Sequence, residues 1–579
     1  MQKSFIYRLG LWEYMEIKDC LATFLAKELK LDRQKVLSIL ETPPDPKMGD
    51  LAFPCFELAK IKKKAPPVIA IELAQTLKFP SEIERVAATG PYLNFFINRS
   101  FLVEQVLEEV KKKKEEYGQS AHFKEKAVVE FAGPNTNKPL HLGHLRNIFL
   151  GQAVCSILSV QGFKVTPVNI VNDRGAHICK SMLAYQKWGN NAKPDKKGDH
   201  YVGDWYVKYA NEEKTHPEME EEIREMLRKW EESDPEVKAL WKKMNGWVLQ
   251  GFAETFKRIG VKFDKEYYES DFYDKGKDLV EQGVKKGVFI KKPDGEILAE
   301  LEPYKLPNKI VLRSDGTTIY ITQDMALARI RFQDYKMDRM IYVVANEQNL
   351  HFQQLFKMLE LLEFPFAKNC FHLSYGMVTL PEGKMKSREG TVIDADDILD
   401  EMERLAKEEI QERHELDEKK AKERAAQIGH GALRFFILKY DHVKDIIFNP
   451  KESLSFEGET GPYVQYAHAR ICSILRKHGS AVASKIEWSL LKAPEEAELV
   501  KALGKFKEVT LAAAEQYKPH LVARYLLDLA QLFNEYYHKH QVITADEALT
   551  KARIHLIDSV RQVLKNGLNL LLIEAPEEM

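Results

Sequence analysis

The chain has 579 residues, of which 44% are hydrophobic and 30% charged, with a formal net charge of −1. This is the composition of ordinary core-forming protein, too long for one domain, so two to four domains are expected. The near-zero balance excludes a global basic field, and any polyanion has to be met by local basic patches.

No apolar run reaches the length needed to span a bilayer. The opening "MQKSFIYRLGLWEYMEIKD" lacks the apolar core and small-residue cleavage site of a secretory signal. The six cysteines lie far apart with no C-x-x-C pair, which argues against a zinc ribbon and a disulfide framework. That usage fits a reducing compartment, and a cytoplasmic protein is expected.

Residues from about 15 to 115 open with a helical pattern, "MEIKDCLATFLAKELKL", followed by the loop "ETPPDPKMGD". A second helix, "PPVIAIELAQTLK", has Pro67 suited to its first turn. "ERVAATGPYLNFFIN" reads as strand, Gly-Pro turn, strand. The lysine run in "VKKKKEEY" reads as a solvated helix end or linker and serves as a boundary.

From about 126 strand-like runs alternate with helices. "AVVEFAG", "KVTPVNIVND", "RMIYVVANE" and "HLSYGMVTL" are candidate buried strands, and "LHFQQLFKMLELLEF" is one of the helices between them. The alternation predicts a parallel, doubly wound α/β sheet. Charge-rich helical sequence from about 190 to 305 interrupts it and reads as an insertion. "KIVLRSDGTTIYIT" predicts a hairpin turning at Asp315-Gly316. From about 445 the sequence is helical and reads as a separate all-α domain.

Two stretches carry chemistry. In "VVEFAGPNTNKPLHLGHLRNIFLGQAV" a strand passes through a loop into a helix, whose N-terminus attracts phosphate through free N–H groups and its positive dipole end. Gly143 removes a side chain where a planar base would be blocked, His141 and His144 share a face from which they can donate to phosphate oxygens, and Lys138 supplies a fixed charge. The residues alone leave open a plain helix start whose histidines cap or pack. In "LPEGKMKSREGTVIDADDILDE", Lys384, Lys386, Ser387 and Arg388 lie in a Gly-flanked loop after the last predicted strand. Ligands bind at that edge of a doubly wound sheet, and phosphoryl or nucleotidyl transfer needs cations where charge accumulates.

The pair resembles the HIGH and KMSKS elements of class I aminoacyl-tRNA synthetases. "KMKSREG" departs from the common pattern, with Lys386 and Ser387 where Ser then Lys is usual and Glu389 within the loop. This degenerate form resembles the arginyl-tRNA synthetase family, in which a lysine shortly before HIGH takes over part of the charge; Lys138 holds that place. "LRSDGTTIYITQDMALA", "GETGPYVQYAHAR", "KMGDLAFP" and "GPYLNFFIN" extend the resemblance over nearly the whole chain. The first 14 residues lie outside it and read as an extension.

The resemblance implies a Rossmann-like catalytic domain (126–444), an α+β N-terminal tRNA-binding domain (15–115) and an all-α anticodon-binding domain (445–579). It implies ATP binding by His141, Gly143, His144, Lys384, Met385 and Ser387, with Lys138, His141, His144, Lys384 and Lys386 acting in catalysis. It also implies an arginine pocket of Gly133, Pro134, Asn135, His144, Tyr320, Asp324 and Gln348. A guanidinium demands planar acceptors, ideally a carboxylate aimed at its fork. By residues alone, Asp324 reads as an acid favoured near a helix N-terminus and Tyr320 as an aromatic ending a strand, and only the resemblance assigns them to the pocket.

For tRNA, Tyr92 and Asn94 offer a platform for an unstacked base on its outer corner, and Asn534 and Tyr537 could meet anticodon bases. Read as residues, both pairs equally suit packing roles. The implied activity is arginine–tRNA ligation in two steps, with ATP and Mg2+, tRNA(Arg) as partner, no membrane and a monomeric chain. No protein-held metal site is expected, and the adenylate step is expected to require bound tRNA. The competing readings are a class I synthetase for cysteine or glutamate, and a synthetase-like RNA-binding scaffold without catalysis.

Overall fold

The computed structural model describes residues 11–80, 82–381, 393–411, 417–479 and 486–579. The N-terminal segment places strands β1 (Leu51–Pro54), β2 (Ile83–Thr89) and β3 (Tyr92–Ile97) in an antiparallel sheet of order β1-β3-β2. The Gly90-Pro91 turn joins β2 to β3, with Gly90 at φ +56°. Helices Leu11–Leu29 and Pro66–Thr76 form where helical periodicity predicts them. Pro66 and Pro67 open the second, where a missing N–H costs nothing.

The lysine run does not mark a break in packing. Lys111, Lys112 and Lys113 close helix Arg99–Lys113, and Tyr117 beyond them is buried against the C-terminal helices. Its hydroxyl donates to the Leu503 carbonyl at 3.1 Å and its ring stacks on Phe506. The charges stay in water while the next aromatic anchors the junction.

The central strands follow as β4 (Lys126–Glu130), β5 (Lys164–Val171) and β6 (Lys265–Tyr268). A small antiparallel sheet of β7 (Phe289–Lys291), β8 (Ile297–Ala299) and β9 (Lys309–Leu312) intervenes, and β10 (Arg339–Ala345) and β11 (Cys370–Tyr375) complete the main sheet. Its order is β11-β10-β4-β5-β6, with every pairing parallel. Val129, Ile341 and Val343 are at most 1% exposed; each such side chain contributes about 1.5–3 kcal/mol by burial. Two-residue strands β12 (Val378–Thr379) and β13 (Ile446–Ile447) pair parallel beside the sheet.

Two sequence expectations change here. Strand β6 lies inside the stretch expected to be helical insertion and adds a fifth parallel strand. Only four residues long, it shows too little periodicity to stand out from the helices Gly198–Glu212, Met219–Glu231 and Pro235–Arg258 that precede it. The expected hairpin at Asp315-Gly316 closes as a turn, with Gly316 at φ +78° and one bridge between Leu312 and Thr318. Its second arm does not continue as strand, and helix Tyr320–Tyr335 begins at once. Ile321, Met325 and Ala328 are buried at helical spacing, so the 3.6-residue period wins over the β-branched composition of "TTIYIT".

Beyond helix Glu418–Leu438 the C-terminal part packs helices Gly461–His478, Pro494–Gly504, Phe506–Gln516, Pro519–Lys539 and Glu547–Leu570. No helix among the described residues is long and apolar enough to cross a membrane.

Candidate active site

The strand order reverses between β4 and β10, and ligands of open α/β sheets bind beyond the carboxyl ends of strands at such a point. A cleft of about 890 Å³ opens there, lined from the exits of both strands. After β4 the backbone turns through Ala132 at φ +78° and Gly133 at φ +59°. The left-handed alanine is strained and is held from outside. The Asn147 side-chain oxygen accepts from the Ala132 N–H at 2.6 Å, and that of Asn169 accepts from the Gly133 N–H at 3.1 Å.

His141 then caps helix Leu142–Val160. Its Nδ1 accepts from the Gly143 N–H at 3.1 Å, while His144 Nδ1 accepts from the His141 N–H at 3.1 Å. Each ring is thereby fixed as the Nε2–H tautomer. A Cβ on Gly143 would lie 3.0 Å from the His141 ring, so glycine first serves to seat this imidazole. Burial, helped by the charge of Lys138, pushes His141 down to about 4. Burial also pushes His144 well below its ordinary value, with His141 and Lys138 adding to it. Both are neutral donors at pH 7, ready for anionic oxygens without carrying charge themselves.

The other wall is acidic. Asp324 Oδ2 lies 2.6 Å from His351 Nε2. Glu130 is buried and ion-paired with Arg331, whose side chain is fully buried; burial raises the Glu130 carboxyl against that pairing. Burial pushes Glu269 up to about 7, with Asp173 and Asp324 raising it and Arg174 opposing. Asp324 thus feels both glutamates, while Lys138 feels His141, His144 and His177. The cleft has a cation-seeking end and an anion-seeking end.

The structure brings Gly133, Asn135, His141, Gly143, His144, Tyr320, Asp324 and Gln348 to this cleft. Pro134 instead contributes its carbonyl, which accepts from the Asn172 N–H at 3.0 Å and ties β4 to β5. Tyr320 begins its helix rather than ending a strand and is 70% exposed, which leaves its ring available to a ligand. Lys384, Met385, Lys386 and Ser387 lie outside the described residues. The residues flanking them reach the site: Val378 and Thr379 line the cleft, and Ile393 and Ala395 bond to the backbone of Leu142 and Leu140. Glu130, Glu269, His177 and His351 are cleft residues that sequence reasoning missed. Glu130 lies inside the quoted strand-to-loop stretch but reads there as one more strand residue, and Glu269 was hidden in the stretch read as insertion.

Among the residues expected to meet tRNA, Tyr92 is partly buried and meets Phe56 edge-on at 5.9 Å. Asn94 is 3% exposed, so in this conformation its amide is covered and only Tyr92 is available to a base. Asn534 accepts from Arg470 at 3.0 Å, and the same guanidinium lies 5.4 Å from the ring of Tyr537, which is 38% exposed.

Three family profiles match along the chain. The family profile for the arginyl tRNA synthetase N terminal domain matches residues 15–97. That for the catalytic domain of class I (R) tRNA synthetases matches 104–450, and the DALR anticodon binding domain matches 464–579. The arginine–tRNA ligase of Treponema denticola is 46% identical over 557 residues, covering 93% of this chain and 94% of that one. The ligase of Bacteroides thetaiotaomicron is 44% identical over 563 residues, covering 92% and 94%. The solved arginyl-tRNA synthetase of Thermus thermophilus superimposes with a TM-score of 0.78 at 29% identity, covering 98% of this chain and all of that one. With a two-ended cleft at the switch point of its sheet and these matches along nearly its whole length, the chain belongs to the arginyl-tRNA synthetase family of class I.

Proposed function

We propose that the chain is an arginine–tRNA ligase that activates L-arginine with ATP and passes it to the terminal adenosine of tRNA(Arg). The observation that carries this reading is the polarity of one cleft: the neutral imidazole donors His141 and His144, on which Lys138 acts electrostatically without itself lining the cleft, set against the carboxyl groups of Asp324, Glu130 and Glu269. A guanidinium enters the acidic end with Tyr320 and Gln348 beside it, and its carboxylate is left near Asn135 and the histidines. An ammonium would leave the acceptors there unsatisfied, which disfavours lysine.

The arginine carboxylate attacks the α-phosphate of ATP and pyrophosphate leaves. His141 and His144 donate Nε2–H bonds to phosphate oxygens, and their fixed tautomers need no reorganisation as charge develops. Lys138 supplies the standing positive charge, with Lys384 and Lys386 as its counterparts on the second basic loop. No side chain forms a covalent bond to substrate. The ribose hydroxyl then attacks the carbonyl of the arginyl-adenylate and AMP leaves, the 2′-hydroxyl acting first as class I membership implies.

Among the described residues, His200, Asp394 and Asp396 have spacing that could hold a metal. They do not suit a resident cation: Lys197 lies 2.6 Å from Asp396 and Arg258 3.9 Å, while Asp394 is paired with His200 at 3.2 Å, so both acids already have positive partners. Magnesium belongs with the nucleotide as part of the substrate.

Residues 15–115 through Tyr92, and residues 445–579 with Asn534 and Tyr537, are proposed to hold the outer corner and the anticodon of tRNA. A monomeric state is part of this proposal, and the tRNA substrate supports a cytoplasmic location. The test is ATP–pyrophosphate exchange with and without tRNA(Arg), followed by charging with arginine, lysine and canavanine. Exchange with arginine in the presence of tRNA supports the reading; folded protein that fails to exchange with tRNA present refutes it.

A further inference from the structure

Arg146 follows the HLGH segment and is 1% exposed, yet among the described residues no carboxylate hydrogen-bonds its guanidinium. It donates instead to three backbone carbonyls: Met377 at 2.6 Å, His442 at 3.0 Å and Lys444 at 2.6 Å. A buried guanidinium with neutral partners is expensive to desolvate, and its rigid fork suits it to fixing separate segments in register. Met377 belongs to the rim of the cleft, whereas His442 and Lys444 belong to the segment leading into the C-terminal helices.

The two segments are also zipped directly. The Gly376 N–H donates to the His442 carbonyl at 2.9 Å, Ile446 to Met377 at 2.9 Å and Phe448 to Thr379 at 2.7 Å. The exposed Asp445 accepts from the Met377 N–H at 2.6 Å. One residue before His442, Asp441 faces Lys518 at 3.4 Å and His520 at 3.8 Å. Those two residues begin helix Pro519–Lys539, the helix that carries Asn534 and Tyr537. At 1.5 Å per residue, Tyr537 stands about 27 Å along that rod from its start.

The geometry points to Arg146 and Asp445 as positioning residues that lock the cleft rim to the foot of this helix, so that tRNA held on the C-terminal helices sets the rate of adenylate formation. The inference rests on the ligase reading above. The contacts give a continuous connection, and the coupling it carries is read by the exchange experiment below. Asp441 ties the rod to the junction, the zipper ties the junction to the rim, and Arg146 ties both to the helix whose first turn holds His141 and His144.

The test uses the full-length chain in ATP–pyrophosphate exchange with arginine, comparing intact tRNA(Arg) with a minihelix that has only the acceptor arm. Wild type is expected to exchange at least about fivefold faster with intact tRNA at saturation. In Asp445→Ala and Arg146→Lys this advantage should shrink below about twofold, while arginine KM and the Kd for intact tRNA stay within about twofold. Because Asp445 is exposed, its variant keeps the test decisive even where the buried Arg146 variant fails to fold. Retention of the advantage in Asp445→Ala overturns the proposal, as does a wild type with no advantage to lose. Parallel loss of exchange, KM and Kd would make the junction a structural support and overturn it too. A wild type that exchanges with neither RNA refutes the ligase reading itself, a result obtained before any variant is compared.

Discussion

Replacing Asp324 by alanine removes a cleft carboxylate whose hydrogen-bond partner is His351, at 2.6 Å. Two unit charges about 4 Å apart at an effective dielectric near 20 interact by about 4 kcal/mol. The Asp324 side chain is 30% exposed, so solvent screens part of that interaction. A guanidinium that gives up its hydration to reach Asp324 keeps roughly 1.5–2 kcal/mol, the range of a hydrogen bond to a charged group. At about 1.4 kcal/mol per decade, the arginine requirement should rise roughly 10–30-fold. Asp324→Asn retains one planar acceptor and should fall between. The assay is the arginine dependence of ATP–pyrophosphate exchange at saturating tRNA, beside a filter-binding Kd for tRNA. A KM change under threefold, or an equal loss of tRNA affinity, would show that the acidic wall does not read the substrate.

Lys138→Ala should slow adenylate formation more than Lys386→Ala does, measured by single-turnover pyrophosphate release; the reverse order would show that charge did not move from one loop to the other. Because burial holds His141 near 4 in the folded chain against 6.5 ordinarily, the unfolded state binds more protons between those values. Thermal stability should therefore decline as pH falls from 6.5 toward 4, and less steeply in His141→Gln; identical slopes would mean that His141 is not buried neutral. His200 runs the other way: Asp394 first and then Asp396, at 3.2 and 3.5 Å, hold it up to about 10. Its contribution is complete below pH 6.5 and fades as pH rises through 10, so the melting gap between wild type and His200→Gln should close above pH 10. A gap that persists at pH 11 would point to packing rather than charge.

The site was legible where local chemistry is contiguous. His141, Gly143 and His144 announce a helix N-terminus built for an anion because cap, donors and glycine fall within four residues of one another. Tyr320 and Asp324 are paired only through the family resemblance, because Tyr320 reads as the end of a strand, whereas the fold puts both on one helix a turn apart. Glu130, Glu269 and His351 could not be seen as one acidic wall, since each comes from a different element and only folding sets them against Asp324. The same limit hid β6, whose four residues become a strand only through the ladder that β5 offers them.

What the sequence determined by itself was the kind of local structure each segment forms: apolar runs that must be strands buried on both faces, amphipathic periods that must be helices, and a phosphate-ready turn between them. Only tertiary structure decided which strands are neighbours, where their order reverses, and that a cleft opens there with opposite chemistry at its two ends. Local preference is fixed by nearby atoms along the chain, whereas charge and hydrogen-bond complementarity across the cleft depend on distances that exist only once remote segments have packed. Arg146 illustrates the difference: in the sequence it is one more base after HLGH, and in the fold it joins residues about 230 to 300 positions away.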